Sequence, residues 1–142
     1  MTKKNKKNIT GQSFIEFIMI LPVLVLIIFA IAEFSLLFYD KNVLISASRE
    51  GARYGVKLGS SGYPSTAQVV SYTKTFCNNN LITFSKTTTN VTVTATPSTN
   101  TPQPGNTLKV TVTYTYTGLS LPKLINSGNP YNLITSTTMV YE

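Results

Sequence analysis

Few side chains in this 142-residue chain are equipped for chemistry. The carboxylates are Glu16, Glu33, Asp40, Glu50 and Glu142, the one thiol is Cys77, and histidine is absent. General acid–base work needs titratable groups that converge on one substrate, and a zinc centre needs three or four clustered nitrogen, sulfur or oxygen ligands. Four of the acids precede Lys57 and the fifth stands alone at Glu142, so neither arrangement is on offer. A serine or threonine nucleophile would find no histidine to take its proton. These counts exclude an enzyme, and no cofactor or metal is expected. Cys77 has no partner within the chain, which leaves a buried thiol at a helix end or a bridge to another chain.

The spacing that carries chemical meaning is Gly11 to Glu16. Lys3, Lys4, Lys6 and Lys7 precede it with no acid among them, and from Phe17 to Ala32 every residue is apolar, with Pro22 the one poor helix former. A helix of about 20 apolar residues crosses a bilayer, and Phe14 to Tyr39 supplies that length. The positive-inside rule keeps the lysines in the cytoplasm and places the chain beyond Tyr39 outside. An acid at the centre of a membrane helix costs about 2.5–3.5 kcal/mol, less at its end, and less again beside a positive charge. Cutting the peptide bond between Gly11 and Gln12 would create that charge, because an amino group on Gln12 lies one turn from Glu16 on the same helix face. In an assembly, Glu16 could instead neutralise the amino terminus of a neighbouring subunit. Two other readings share these features. Ala30-Ile31-Ala32 resembles a secretory cleavage site before Glu33, and the anchor could remain uncut. Against the secretory reading, the apolar run is long, an acid stands before it, and the helical pattern continues past Ala32.

Net charge adds little. The formal value is +7, but without residues 1–11 eight basic residues face five acids, and they are dispersed. No nucleic acid partner is expected from such a distribution.

No glycine or proline interrupts the sequence between Val23 and Glu50, and Leu36, Leu37, Val43, Leu44 and Ala47 extend an apolar face among polar residues. A continuous helix from Gln12 to Lys57 would be about 70 Å long. Ala47, Gly51 and Gly55 recur every fourth position as one smooth strip. A helical glycine costs about 1 kcal/mol relative to alanine, so the strip predicts close approach by the head domain or by a second subunit. Arg49 and Arg53, with Glu50 beside them, occupy the neighbouring face as either a solvated side or a docking surface.

Gly11-x-x-x-x-Glu16, the apolar run with Pro22, Glu33, and Ala47-Ser48-Arg49-Glu50-Gly51-Ala52-Arg53-Tyr54 together resemble the TadE-like pseudopilins of the tight-adherence (Tad, or Flp) pilus machinery. The resemblance is specific over residues 11–57, and the ending Thr138-Met139-Val140-Tyr141-Glu142 also fits. It implies a precursor cut by a membrane-embedded prepilin peptidase between Gly11 and Gln12, with Glu16 as the processing and assembly acid. It also implies partners in the membrane: the peptidase, other pilin or pseudopilin subunits, and the assembly platform. General type IV pilins usually begin their mature chain with phenylalanine, where this sequence has Gln12.

Beyond the helix, Gly59 to Pro64 reads as a loop. Ser65-Thr66-Ala67-Gln68 fits a capping box, opening a short helix with Val69, Tyr72 and Phe76 on its apolar face and Val70 and Cys77 beside them. Val91, Val93 and Ala95 then alternate with threonines. Pro97 to Gly105 is a polar loop, Val110, Val112, Tyr114 and Tyr116 line one face of a second strand, and a final strand covers about Leu133–Tyr141. The fold class is therefore α+β and pilin-like: a long N-terminal membrane-spanning helix, a short second helix and a small antiparallel sheet. The divisions are a leader at residues 1–11, the long helix at 12–57 with its span about 14–39, and an exported head at 58–142. The functional expectation is a minor pseudopilin with a structural role. The alternatives are an exported adhesive or binding module not processed as a pilin, and a major pilus subunit.

Overall fold

A run of strong helix formers without an internal stop makes α1, Ile9–Val56, a helix of 48 residues that passes through Pro22 without ending. At 1.5 Å per residue it is about 70 Å long. The computed structural model describes residues 9–60, 62–82, 91–97, 103–116 and 131–142, with side chains from Gly11 onward. The lysine-rich leader up to Asn8 and most of the Pro97–Gly105 loop lie outside the described residues.

α1 has two environments. Every side chain from Gly11 to Phe29 is exposed, and Glu33 is the first that is buried. From there a stripe of Glu33, Asp40, Leu44, Ala47, Ser48, Gly51, Ala52 and Gly55 is covered, at the three- and four-residue intervals that place side chains on one helix face.

The cover is the head. α2, Thr66–Asn80, starts at the capping box: the Gln68 N–H donates to Ser65 Oγ at 3.4 Å and the Ser65 N–H donates to Gln68 Oε1 at 2.8 Å. Its buried residues are Val69, Thr73 and Cys77, one row over from the Val69, Tyr72 and Phe76 face that the apolar pattern predicts. The reason lies across the interface. Thr73 packs against Gly51, and only a small side chain fits where two helix backbones come that close. Tyr72 is 42% exposed and stacks on Tyr54 instead, with ring centroids 4.5 Å apart and planes 11° from parallel.

The strands β1 (Val91–Thr96), β2 (Thr107–Tyr116) and β3 (Tyr131–Val140) form one antiparallel sheet in the order β1-β2-β3. Val93 lies opposite Val112, which lies opposite Thr135. Alternation puts Val91, Val93 and Ala95 of β1, and Leu108, Val110, Val112, Tyr114 and Tyr116 of β2, into the core. α1 covers β2 and β3 while α2 covers β1, so two helices lie side by side on one face of the sheet. The other face carries Thr92, Thr94, Lys109, Thr111, Thr113, Ser136 and Thr138. Before β2, Gly105 takes φ +87°, a conformation that favours glycine, and its N–H donates to the Tyr141 carbonyl at 2.9 Å. The fold is α+β, as the sequence pattern predicts.

Candidate functional site

The residues of the predicted cleavage site lie in the first turns of α1. Gly11, Gln12 and Glu16 are all exposed, and a Cβ placed on Gly11 would meet nothing within 4 Å. Gln12 and Glu16 are four residues apart and share a face. Around them stand exposed Phe14, Ile15, Phe17 and Ile18, so Glu16 is an acid set in an otherwise apolar belt. Because Ile9 and Thr10 are already helical, the Gly11–Gln12 bond lies inside the helix rather than before it. A protease must unwind a helix locally to reach such a bond, and glycine, among the poorest helix formers, lowers that cost.

The small-residue strip faces the head of its own chain. Ala47 is fully buried. A Cβ at Gly51 would stand 3.2 Å from Thr73 Cβ and 3.3 Å from its Cγ2, and one at Gly55 would stand 2.9 Å from Val69 Cγ2 and overlap Leu108. The Thr73 hydroxyl that fills the gap donates to the Val69 carbonyl at 2.7 Å. Nearby, Ser48 Oγ and Thr137 Oγ1 share a hydrogen bond of 2.8 Å that ties α1 to β3. Of the two partners predicted for the strip, the head occupies it.

Arg49 and Arg53 point to solvent. Arg53 lies 3.8 Å from Glu50, with the two side chains 71% and 43% exposed, and a solvated pair of that kind contributes little stability. Glu50 and Arg53 instead form part of an open groove of about 750 Å³, walled by the Tyr54–Tyr72 stack, Val56, Lys57 and Glu142. At its margin the Tyr63 hydroxyl donates to the Glu142 carbonyl, and Tyr63 meets Tyr141 edge to face at 5.0 Å.

An exposed apolar helix with one acid near its start thus runs into a glycine-lined seam under a small sheet. Residues 11–53 match the TadE-like protein family. The TadE-like segment takes in Gly11, Gln12, Glu16, Ala47, Arg49, Glu50, Gly51 and Arg53, and ends before Gly55, α2 and the sheet. The match suggests a component associated with the Tad pilus. No curated protein and no solved structure matches the chain.

Two acids of the TadE-like segment have a setting that their sequence did not announce. Glu33 and Asp40 are both buried beneath the head. Asp40 Oδ1 accepts a 3.1 Å hydrogen bond from the Ile82 N–H, whereas its Oδ2 is buried with no partner among the described residues. Desolvation raises the Asp40 pKa, and the Ile82 hydrogen bond offsets part of that rise. Tyr114, on the facing strand, is pushed up to about 12, first by burial and then by the charges of Asp40 and Tyr116. The readable signal was spacing, since positions 33, 40, 44 and 47 fall on the stripe that also carries Leu44 and Ala47. Among the described residues no three histidine, cysteine, aspartate or glutamate side chains are grouped to hold a metal.

Cys77 is a buried free thiol whose pKa burial lifts to about 11. A free cysteine has a pKa of about 8.5, and the thiolate is the reactive form. Iodoacetamide at pH 8 should therefore modify folded Cys77 on the order of 100-fold more slowly than the urea-unfolded chain. Equal rates, followed by mass spectrometry, would show the thiol to be accessible.

Proposed function

We propose that the chain is a minor pseudopilin of a Tad (Flp) pilus or a related secretion system, cut by a prepilin peptidase between Gly11 and Gln12. The observation that carries this reading is the sharp change along α1. The bare apolar stretch from Phe14 to Ala32 would be about 28 Å long, close to the roughly 30 Å hydrocarbon core of a bilayer, with Glu16 near its inner end. α1 is, among the described residues, the one helix long and apolar enough to cross a membrane. On this reading the lipid-crossing part ends near Ala32 rather than Tyr39, because Glu33 and Leu37 are turned toward the head. Phe34, Phe38 and Tyr39, which stay exposed, would form the aromatic belt at the outer interface.

The chain would then sit as a single-pass protein with its N-terminus inside and its head outside, available for incorporation into a surface pilus. Its work would be packing, with Glu16 meeting the assembling neighbours inside the membrane and the head choosing partners outside. The groove beside Glu50 and Arg53 would be the head's docking face for another subunit.

The test is the amino-terminal residue of the membrane-extracted protein, from cells with and without prepilin peptidase. Gln12, found only when the peptidase is present, is the expected result. Glu33 would instead mean a conventionally secreted module, and an intact leader in both strains would mean an uncut membrane-anchored domain.

A further inference from the structure

Asp40 is fully buried in the seam between α1 and the sheet, and neither processing at Gly11 nor the packing of the glycine strip calls for a carboxylate there. The groups that face it are themselves acidic or neutral. α1 brings Glu33, two turns earlier on the same stripe and also buried. β2 brings the phenols of Tyr114 and Tyr116, which lie close enough to sense the Asp40 charge. The segment after α2 brings the Ile82 N–H, and the inward positions of β3, Leu133 and Thr135, carry no charge. Lys41 is adjacent in sequence, but its ammonium donates to the Ile134 carbonyl at 2.6 Å. Among the described residues, no cation is turned toward Asp40.

A carboxylate enclosed in this way either bears a large desolvation cost or takes up a proton. The Ile82 N–H serves either form, because it uses Oδ1. A proton on Oδ2 would convert a buried acceptor into a donor, in a seam where, among the described residues, neither Oδ2 nor the Tyr116 hydroxyl has a partner. We propose that Asp40 is a proton-operated latch: the head seats on α1 with Asp40 neutral, so acid tightens the seam and alkali loosens it.

The direction follows from burial. With its pKa raised in the folded chain, Asp40 holds its proton to higher pH there than in the unfolded chain. The stability it contributes is complete below the ordinary aspartate pKa of about 3.9, and is lost as pH climbs through the raised value. Nothing in this inference depends on how the chain is processed.

The experiment is hydrogen exchange by mass spectrometry on the full chain in detergent micelles between pH 4.5 and 8, corrected for the intrinsic rate and read at the Ile82 amide. Wild type should lose protection by about tenfold or more as pH rises, which is about 1.4 kcal/mol. Asp40→Asn keeps the shape and the Oδ1 acceptor, so it should show a flat profile and exceed wild type at pH 8. A flat wild-type profile would overturn the proposal whatever the variant does. So would the same slope in Asp40→Asn, or lower protection in that variant throughout the range. Glu33→Gln separates the two acids: its slope should persist, and a slope lost there but kept in Asp40→Asn would assign the proton to Glu33.

Discussion

Gly55→Val should destabilise the head by about 3 kcal/mol, at the upper end of the overpacking range, and Gly55→Ala by less. The reason is the absence of room to yield. A Cβ at this position would overlap Leu108 and approach Val69 Cγ2 to 2.9 Å. Both neighbours are buried in the core between the helices and the sheet, and Val69 is stiff about χ1. Two effects oppose each other in Gly55→Ala, because removing a helical glycine returns about 1 kcal/mol of helix propensity. The clash should win, since relieving it requires α2 and β2 to move away from α1. In Gly55→Val the propensity gain is smaller and the added bulk larger. Gly51 provides a parallel case against Thr73, where rotating the hydroxyl aside would break its hydrogen bond to Val69. Gly11→Ala is the control: with nothing within 4 Å, it should leave head stability unchanged, so any phenotype would report on processing. Urea unfolding in detergent, followed by tyrosine fluorescence, measures all three variants. Wild-type stability in Gly55→Val would mean that α1 and the head are not in close contact there.

The same seam shows how far the sequence could be read. The helical run from Val23 to Glu50, the Ser65–Gln68 capping box and the alternation in β1 and β2 are local signals, in which each residue announces its neighbours' conformation. They predict the elements and the α+β class. Ala47, Gly51 and Gly55 announce a close approach, but a smooth strip does not say which surface meets it; that depends on the head folding back over α1. The buried row of α2 was misaligned by one position for the same reason. Hydropathy favours Tyr72 and Phe76 over Thr73 as buried residues, whereas the space left by Gly51 selects the small one. The order β1-β2-β3 was equally silent, because alternation defines a strand's faces and not its neighbours. Glu33 and Asp40 are the extreme case. An acid in a helical pattern reads as solvated, and burial of these two is imposed by strands about 75 residues away in sequence. Arg49 and Arg53 are exposed, and Glu50 and Arg53 share a groove with Tyr72 and Glu142; a docking role for these residues is a matter of assembly, which a single chain does not display.

Glu16→Ala should reduce piliation at least tenfold while changing head stability by no more than about 0.5 kcal/mol, the usual range for a substitution remote from packed structure. The separation follows from position. Glu16 is exposed in the bare part of α1, more than three turns before Glu33, the first residue that the head covers. Its substitution therefore removes no contact from the head, and it also deletes an acid that is costly to insert in lipid. Insertion should be no worse, and protein levels should be normal. What is lost is the counter-charge for the amino group that cleavage would create at Gln12. With an ordinary pKa of about 7.7–8.0, that group is largely positive at neutral pH, and a charge placed in hydrocarbon without a partner is strongly disfavoured. A tenfold effect needs only about 1.4 kcal/mol per subunit contact, well within the value of a charge pair shielded from water. Glu16→Gln keeps the length of the side chain and loses the charge, so it should behave like Glu16→Ala, whereas Glu16→Asp should be intermediate. Full piliation by Glu16→Gln at normal protein levels would remove the charge from the explanation. A strain without prepilin peptidase adds a second check, because a chain that never gains the Gln12 amino group has nothing for Glu16 to neutralise. There, wild type and Glu16→Ala should accumulate equally in the membrane and fail to assemble to the same extent.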